Sequence, residues 1–515
     1  MSSNTKRPLV LVIIDGWGTS ADAAGNAIAA AHTPNYDEIR SSFAWTTLAS
    51  AGEELGLGPE AAGNAELGHM NIGAGRVVRS VYSTIRESVR TGEFFQNGVL
   101  CKAFSDAKAR GSNIHLVGMI SDAEVHSSMD SLYALLRKAK RLEIENVFVH
   151  GILDGRDVPP RTADIYVEAL EIKLADIGVG RIATLCGRFY AMDSSENWER
   201  TARAFTMMAL AEGERAQDPV SAVRSSFLRG ISDEFIAPIV IESEPGVPMT
   251  TVSHGDLVVF FNHRADTMRQ LVRSLAVPDH GLVMAAAKPN IEAVCLTEYD
   301  KAFGLPVAFE QQAEPNGLAA VFTERGISNY RISETDRFSH VTKILNCGFD
   351  GGGQLEKHIE VASGDSAIRE AEPEMRSFKI ADKVLRGIEG DNGGVFVVNF
   401  PAPGLLAETG SLERTIEAIR YVDTCLGGVV EKVKAADGIA VITSSHGNCE
   451  SMLDERGEPN RFATANRVPF HIVDPRTGVA PLRPDGSLRD VAPTILAMLG
   501  IEKPAEMTGS DLRLT

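Results

Sequence analysis

Short runs of β-branched and other apolar residues recur along this chain, and longer segments with helical spacing lie between them. The clearest runs occupy residues 8–15, 113–121, 146–154, 256–262, 394–400 and 439–445. Residues 127–142 and 411–436 repeat apolar side chains every three to four positions, as amphipathic helices do. Buried parallel strands alternate with helices in this way. The sequence therefore predicts an α/β fold with parallel sheets.

A polar or charged residue stands where several of the predicted strands end. These residues are Asp15, Asp154, Asn262, Asn399 and Ser445. Open α/β sheets bind ligands outside the carboxyl ends of their strands. We therefore expect the chemistry of the protein at these positions.

Length and charge limit the classes of partner. A chain of 515 residues is long enough for two or more domains. Its formal net charge of −18 argues against a nucleic-acid partner, although clustered arginines can still form a pocket for a small anion. No apolar stretch reaches the length of a membrane span, and the cysteine spacing indicates neither a disulfide framework nor a zinc site. We expect a cytoplasmic protein that has no nucleic-acid or membrane partner.

Three short motifs contain candidate metal ligands or nucleophiles. Asp15 opens DGWG after a predicted strand, and His446 follows another strand in TSSHGN. Both suit a metal site, but taken alone each is explained as well by a turn or structural role. The glycine-rich turn at residues 62–76 has the form that presents a nucleophile, yet it offers Ala65 at its tip.

Four other segments place arginines beside a histidine and a carboxylate. They contribute His126, Arg156, Asp157, Arg188 and Arg264. An arginine fork matches carboxylate or phosphate, and an aspartate accepts hydrogen bonds from the hydroxyls of a sugar acid. The alternative for each arginine is a surface ion pair or a structural contact.

Together these segments resemble the cofactor-independent phosphoglycerate mutases of the alkaline-phosphatase superfamily. The resemblance runs along essentially the whole chain and includes DGWG (15–18), GNAELGHMNIGAGR (63–76), SDAEVHS (121–127), LDGRDVPPR (153–161), GRFYAMD (187–193), FFNHRAD (260–266), SETDRFSHVT (333–342), HGN (446–448) and DVAPTILAMLG (490–500). It implies an alkaline-phosphatase-like parallel-sheet domain made of residues 1–78 and 313–515. An α/β transferase domain is then inserted at residues 79–312.

The resemblance also implies a mechanism, and this sequence departs from it. In the family, two manganese or magnesium ions sit in the phosphatase-like domain, and a serine there accepts the phosphoryl group of 3-phosphoglycerate. Asp15 and His446 match metal ligands, whereas the serine position falls on Ala65. The other four ligand positions fall on Gly404, Glu408, Ser445 and Ala463. We therefore expect no dimetal centre, and either no metal or one weakly bound Mg²⁺ or Mn²⁺ at Asp15, His446 and Glu408.

More of the family's substrate-binding residues than of its metal ligands are present in this sequence. His126, Arg156, Asp157 and Arg188 match glycerate-binding residues, Arg264 matches a phosphate-side arginine, and Arg337 stands where the family has lysine. Asp157 and His126 are also the candidates for catalytic groups. Two family arginine positions fall on Ser194 and Thr267, so the anion pocket is thinner and a different or larger substrate is expected.

Three functions remain to be distinguished. The preferred hypothesis is a divergent enzyme that transforms a phosphorylated or phosphonate three-carbon acid without the dimetal and phosphoserine mechanism, for example in natural-product biosynthesis. The second is a non-catalytic protein that binds such an acid and regulates another process. The third is a working phosphoglycerate mutase with relocated ligands. Ser444 or Ser445 would then be the candidates for the missing nucleophile, but the simpler interpretation, which we favour, is that both are plain strand-end serines.

Overall fold

The computed structural model describes residues 7–58, 61–194, 196–278, 288–310, 314–349, 353–364, 371–390, 393–454 and 456–514. Backbone contacts divide the chain into two compact units. The first unit joins Met1–Ser80 to Gln312–Thr515, and the second unit is Val81–Gln311. The predicted domain boundary at residues 312 and 313 lies outside the described residues. The interpretation of the units as a metal-site domain and a substrate domain stays a prediction.

Strands and helices alternate through the described parts of both units. The strands are β1 (Leu9–Ile14), β2 (Ala44–Leu48), β3 (Ile114–Ile120), β4 (Val147–Leu153), β5 (Arg181–Gly187), β6 (Glu214–Ala216), β7 (Ile239–Glu244), β8 (Val247–Pro248), β9 (Leu257–Phe260), β10 (Glu292–Thr297), β11 (Val307–Phe309), β12 (Asn329–Glu334), β13 (Glu356–Val361), β14 (Val395–Phe400), β15 (Ile439–Thr443) and β16 (Val468–Val473). The α-helices are α1 (Ala27–Ala30), α2 (Pro34–Ser42), α3 (Ala65–Ala74), α4 (Val81–Thr91), α5 (Gly98–Arg110), α6 (Met129–Arg141), α7 (Ala163–Ile177), α8 (Arg188–Ala191), α9 (Trp198–Leu210), α10 (Pro219–Leu228), α11 (Arg269–Ala276), α12 (Leu318–Glu324), α13 (Thr335–Ser339), α14 (Ser377–Gly390), α15 (Ala402–Ala407), α16 (Leu412–Ala435) and α17 (Val491–Met498). The six predicted strand runs and both predicted helices are confirmed. None of the described helices combines the length and the apolar character needed to cross a lipid bilayer.

The first unit contains, among the described residues, a seven-stranded sheet with the order β13-β12-β14-β1-β15-β16-β2. β1 pairs in parallel with both β14 and β15, so Leu9 lies opposite Val395 on one side and Ile439 on the other. Alternate residues of β1 belong to two different apolar clusters, because helices cover both faces of the sheet. The carboxyl ends of β1, β12, β14 and β15 therefore meet at one edge.

The expectation of parallel sheets needs one qualification in this unit. β16 pairs antiparallel with β15 and with β2 at the border of the sheet. Only 24 residues separate Thr443 from Val468, and they contain no described helix long enough to return the chain for a parallel crossover. Mixed sheets with antiparallel border strands are common in large α/β domains.

The second unit contains, in its described part, a sheet with the order β11-β10-β9-β3-β4-β5-β7-β6, and β8 pairs with β7. β3 and β4 are parallel and buried over their full length. β7 is antiparallel to β5 and parallel to β6, whereas the strands from β11 to β5 in this order are all parallel to one another. Their carboxyl ends bring Ser121, Asp154 and Arg188 to one edge of this sheet.

One carboxylate on the predicted helix α16 has a clear structural purpose. Asp423 is 1% exposed, and it accepts hydrogen bonds from the backbone N–H groups of Asn35 (3.2 Å) and Tyr36 (2.8 Å). These groups lie in the first turn of α2, whose N-cap residue Thr33 makes no side-chain capping bond. Asp423 thus supplies the cap from a neighbouring helix, where a negative charge is also favoured by the helix dipole.

His471 is a buried titratable group of the first unit. It lies on β16 with no exposed surface, its Nε2 is 3.2 Å from the Tyr36 hydroxyl, and its ring stacks on Trp45. Burial lowers the pKa of His471 to about 3, and the nearby Arg40 charge adds to this effect. The imidazole is therefore neutral in the folded protein at neutral pH.

We expect the free energy of unfolding of this unit to fall as the pH is lowered from 6.5 to 4. The unfolded chain gains a proton on His471 in this range and the folded chain does not, which lowers stability by roughly 3 kcal/mol. Denaturant titrations followed by tryptophan fluorescence at several pH values measure the slope. The variant His471→Phe has no titrating group at this position and is expected to show a flatter dependence. Equal slopes for the two proteins would contradict the assignment.

Candidate functional site

Asp15 is the centre of a polar cluster at the carboxyl edge of the first sheet. Its carboxylate has no exposed surface, Oδ1 accepts from the Ser445 hydroxyl at 2.7 Å, and Oδ2 accepts from Asn399 Nδ2 at 3.2 Å. Burial raises the pKa of Asp15, but its interactions with His69, Arg337 and His446 and the Ser445 hydrogen bond outweigh that effect, and the pKa is lowered. The three strand ends predicted to carry chemistry in this unit do converge.

The protonation of His446 follows from its partner. The one hydroxyl proton of Ser445 is donated to Asp15, which as a carboxylate can only accept. Ser445 Oγ must therefore accept from His446 Nδ1, which is 2.8 Å away. Burial lowers the pKa of His446, so the ring is neutral and its single proton is on Nδ1. This leaves Nε2 as the atom with a lone pair, available to a metal ion or a proton.

Arg337 lies between two carboxylates of this cluster. It is on α13, directly after β12, and its side chain is 12% exposed. Its Nε is 3.4 Å from Asp15 Oδ2, and one terminal nitrogen donates to Glu408 Oε1 at 2.8 Å. The predicted substrate-binding arginine and the predicted residual metal ligand Glu408 are thus paired with each other.

Helix α3 brings Ala65 and His69 to the same region. Ala65 is the first residue of α3, after the N-cap Asn64, and its methyl group provides no nucleophile. A Cβ atom on Gly68 would lie 2.1 Å from the Ser445 carbonyl oxygen, so only glycine allows α3 to pack this closely against the end of β15. His69 Nδ1 donates to the Ala65 carbonyl at 2.7 Å, and within the described residues its buried Nε2 has no hydrogen-bond partner.

Gly404, which the resemblance places at a family aspartate position, packs too closely for a side chain. A Cβ atom on Gly404 would lie 2.9 Å from Asp15 Cβ and 3.0 Å from the Asp15 carbonyl carbon, closer than side chains are tolerated. An aspartate therefore does not fit here unless the backbone of α15 moves. Ala463, at the family's last histidine position, is half-buried beside the bridge between Gly447 and Thr464.

Glu450 is a buried carboxylate near His446 that sequence reasoning did not select. Its oxygens accept from the backbone N–H groups of Gly18 (3.1 Å) and Asn448 (2.8 Å), from Asn466 Nδ2 (3.0 Å) and from the Thr464 hydroxyl. These four donors saturate the carboxylate and fix the loop after β15. Glu450 is therefore a structural residue in this arrangement.

The donor set does not fit two divalent cations. Among the described residues, no group of three or more His, Cys, Asp and Glu side chains is placed to hold a metal ion. Asp15 and Glu408 already face the guanidinium of Arg337, and a metal needs several convergent oxygen or nitrogen ligands. The residual single site expected at Asp15, His446 and Glu408 is likewise not assembled, and it stays a prediction.

In the second unit, two aspartates shape the loop that follows β4. Asp154 Oδ1 accepts from the backbone N–H groups of Arg156 (3.1 Å) and Asp157 (2.9 Å). Gly155 has a φ of +73°, and a Cβ atom there would lie 2.7 Å from Asp233 Cβ, so the turn requires glycine. Asp233 in turn accepts from backbone N–H groups at the start of α7. The loop is held at both ends, which positions Asp157.

Arg188 joins the predicted glycerate-binding residues. Its guanidinium is 7% exposed, donates to Asp154 at 2.7 Å and also donates to Asp157. A second nitrogen donates to His126 Nε2 at 2.7 Å. Because that lone pair is occupied, neutral His126 carries its proton on Nδ1, which donates to the Thr267 hydroxyl at 3.2 Å.

This network sets the protonation of the two predicted catalytic groups. Burial and the Arg188 charge lower the pKa of His126 far below its usual range. Burial raises the pKa of Asp157 even though Arg188 opposes the shift. In this arrangement His126 acts as a base only if Arg188 first releases Nε2. The catalytic assignment of His126 and Asp157 stays a prediction.

The remaining predicted anion-binding residues lie at the rim of this cluster. Arg156 is exposed, and its charge contributes to the lowered pKa of His126. Arg264 is half-buried and pairs with Asp266 at 3.0 Å. Ser194, at a lost family arginine position, is exposed. Arg188 and Arg264 thus already face aspartates, and Arg156 is the arginine of this cluster with an exposed side chain.

Three residues act on the predicted site residues through contacts that the sequence did not predict. His69 acts on Asp15, Asp154 binds Arg188, and Thr267 orients His126. Asp154 was marked only as a strand end, and His69 only as a member of a motif. Thr267 was noted only as a position where the family has an arginine, and no sequence pattern predicts that its hydroxyl, 141 residues from His126, contacts that ring.

Comparisons with known proteins agree with the geometry of the fold. Residues 85–301 match the family described as BPG-independent PGAM N-terminus. A 2,3-bisphosphoglycerate-independent phosphoglycerate mutase of Desulforudis audaxviator is 43% identical over 99% of this chain and 100% of its own length. One from Moorella thermoacetica is 42% identical over 99% of both chains. The structure of a Leishmania mexicana phosphoglycerate mutase, determined at low cobalt concentration, has a TM-score of 0.90 at 25% identity and covers 100% of this chain and 99% of its own.

Proposed function

Because this chain belongs to the 2,3-bisphosphoglycerate-independent phosphoglycerate mutase family, we propose that it binds and transforms a small phosphorylated or phosphonate three-carbon acid without the dimetal and phosphoserine mechanism. The observation that carries this proposal is the position of Arg337. Its guanidinium faces Asp15 and Glu408, the carboxylates that would otherwise attract a cation.

The absence of a nucleophile at the start of α3 supports the same proposal. Ala65 has no atom that accepts a phosphoryl group. Ser445 is a poor replacement, because its proton is directed to Asp15, whose lowered pKa makes it a weak base. Ser445 is also fully buried, so a substrate phosphorus has no path to it in this arrangement.

The proposed binding of a phosphorylated or phosphonate acid rests on residues of the second unit. Arg156 and Arg264 provide positive charge at the rim, and Arg188, His126 and Asp157 form an ordered polar base beneath it. Bidentate arginines suit a carboxylate or phosphate group. Thr267 and Ser194 replace larger cationic side chains, which leaves room for a larger substrate, as in phosphonate natural-product assembly.

A calorimetric titration tests this proposal. Protein kept in EDTA is titrated with 3-phosphoglycerate and, separately, with phosphonopyruvate. We expect saturable binding of at least one acid, weakened at least about tenfold in Arg264→Ala, since a charged hydrogen bond is lost. Arg224→Ala is the matched control: Arg224 pairs with Asp164 on the exposed surface of the same unit, and its loss should not change the affinity. If neither acid binds, the proposal is wrong.

Turnover separates the proposed enzyme from a binding protein. The acid that binds is incubated with the protein, and the mixture is followed by ³¹P NMR. A new phosphorus resonance supports an enzyme, whereas saturable binding with an unchanged spectrum supports the regulatory alternative.

A further inference from the structure

We propose that Arg337 supplies, from within the chain, the positive charge that a divalent cation would supply to Asp15 and Glu408, so that the guanidinium and a bound metal ion exclude each other. This inference rests on the proposed metal-free function of the same site. It goes further in two ways. It names the group that takes the place of the cation, and it states that the site can bind a metal ion once that group is removed.

The geometry around Arg337 provides the first argument. The guanidinium contacts Asp15 Oδ2 at 3.4 Å through Nε and Glu408 Oε1 at 2.8 Å through a terminal nitrogen. The other oxygen of Asp15 is taken by Ser445, and Asn399 also donates to Oδ2. One cation therefore already faces both carboxylates, and a second cation near them would meet strong repulsion at short range.

The way Arg337 is held provides the second argument. α13 begins at Thr335, directly after β12, so the arginine starts from the end of a sheet strand and not from a long surface loop. Its side chain is 12% exposed, and Asp15 beneath it has no exposed surface. A buried ion pair that loses one partner leaves an uncompensated charge. In the absence of Arg337, Asp15 needs another cation.

The remaining donors provide the third argument. His446 has its proton on Nδ1, so its Nε2 lone pair is available. The Nε2 atom of His69 is buried and, in the described part of the chain, has no hydrogen-bond partner. His446 lies beside Asp15, because the Ser445 hydroxyl contacts both its Nδ1 and the Asp15 carboxylate. Carboxylate and imidazole donors suit manganese, and the guanidinium of Arg337 opposes its charge.

The test measures Mn²⁺ affinity in the full-length chain. Protein is freed of metal with EDTA, exchanged into clean buffer and titrated with MnCl₂, and free Mn²⁺ is read by electron paramagnetic resonance. We expect the wild type to bind no Mn²⁺ tighter than about 1 mM, and Arg337→Gln to bind one ion at least about tenfold tighter. Arg337→Met, of similar length and without charge, is made in parallel, so that a folding defect in one variant does not decide the outcome.

A matched control separates this effect from the general loss of a buried arginine. Arg76 is in the same unit, is 10% exposed and pairs with Glu314 at 2.9 Å. Arg76→Gln should leave Mn²⁺ affinity at the wild-type value. Adding Glu408→Gln to Arg337→Gln should remove most of the gained affinity, which assigns the ion to this site.

The inference is overturned if both Arg337 variants fold cooperatively and neither binds Mn²⁺ more tightly than the wild type does. Wild-type protein that binds Mn²⁺ as tightly as Arg337→Gln would overturn it as well. Failure of the proposed function is read from other measurements, because it appears as a lack of acid binding in EDTA. The two failures are therefore distinguishable.

Discussion

With Mn²⁺ present, this protein is expected to interconvert 3-phosphoglycerate and 2-phosphoglycerate at least about a thousandfold more slowly than a working family member does. The physical reason is twofold. Ala65 removes the acceptor of the phosphoryl group, and the Arg337 guanidinium faces the carboxylates that would hold a metal ion. The nucleophile and the cations that stabilise its attack serve the same step, the transfer of the phosphoryl group. The effects of losing them therefore do not simply add.

The measurement is an enolase-coupled assay of both proteins under the same conditions. The Desulforudis audaxviator mutase, 43% identical to this chain, is the positive control. Mn²⁺-dependent turnover within tenfold of that control would show that the ligands have been relocated. In that case Ser445→Ala becomes the decisive variant, because Ser445 is the hydroxyl that contacts both Asp15 and His446. Loss of activity in the Ser445→Ala variant would identify Ser445 as the substitute nucleophile.

Arg188→Ala is expected to have the largest effect on stability and on acid binding. Removing the guanidinium leaves Asp154, 1% exposed, and Asp157 without their shared positive partner. Breaking a buried ion pair on one side costs about 3–5 kcal/mol of unfolding free energy. The affinity for a phosphorylated acid should fall by at least about a hundredfold, since His126 and Asp157 lose their fixed positions.

Denaturant titrations of the second unit, followed through Trp198, measure the stability effect. Arg224→Ala removes an exposed pair in the same unit and should cost less than about 1 kcal/mol. The pH dependence distinguishes lost charge from lost packing. Acidification through the raised pKa of Asp157 neutralises that carboxylate, so an electrostatic deficit shrinks at low pH, whereas a packing deficit stays constant. A pH-independent deficit would therefore contradict the assigned cause.

The sequence carried enough information for the fold because its buried strands are strongly patterned. β1 and β14 are continuous apolar runs, since both faces of the sheet are covered. The border strand β13, with the sequence EKHIEV, has mostly exposed or half-buried residues and gave no such signal. Its partner β12 is buried but includes Arg331 and Glu334, so hydrophobicity alone could not reveal it.

The candidate site was predictable only in part. Strand ends located Asp15 and Ser445, because backbone topology alone brings the carboxyl ends of neighbouring parallel strands together. Arg337 and Glu408 are 71 residues apart in the sequence. Their pairing depends on the rotamers of two long, flexible side chains, which the sequence does not reveal. Sequence reasoning therefore assigned one to the substrate and the other to a metal, although their charges neutralise each other.

The close approach of Gly404 to Asp15 has an evolutionary consequence. An aspartate introduced at position 404 by a single codon change would force a side chain into space that Asp15 already fills. Such a variant would lose stability, and it would still have alanine at position 65. Single substitutions that adjust the present packing are therefore tolerated more readily than one that introduces a carboxylate beside Asp15.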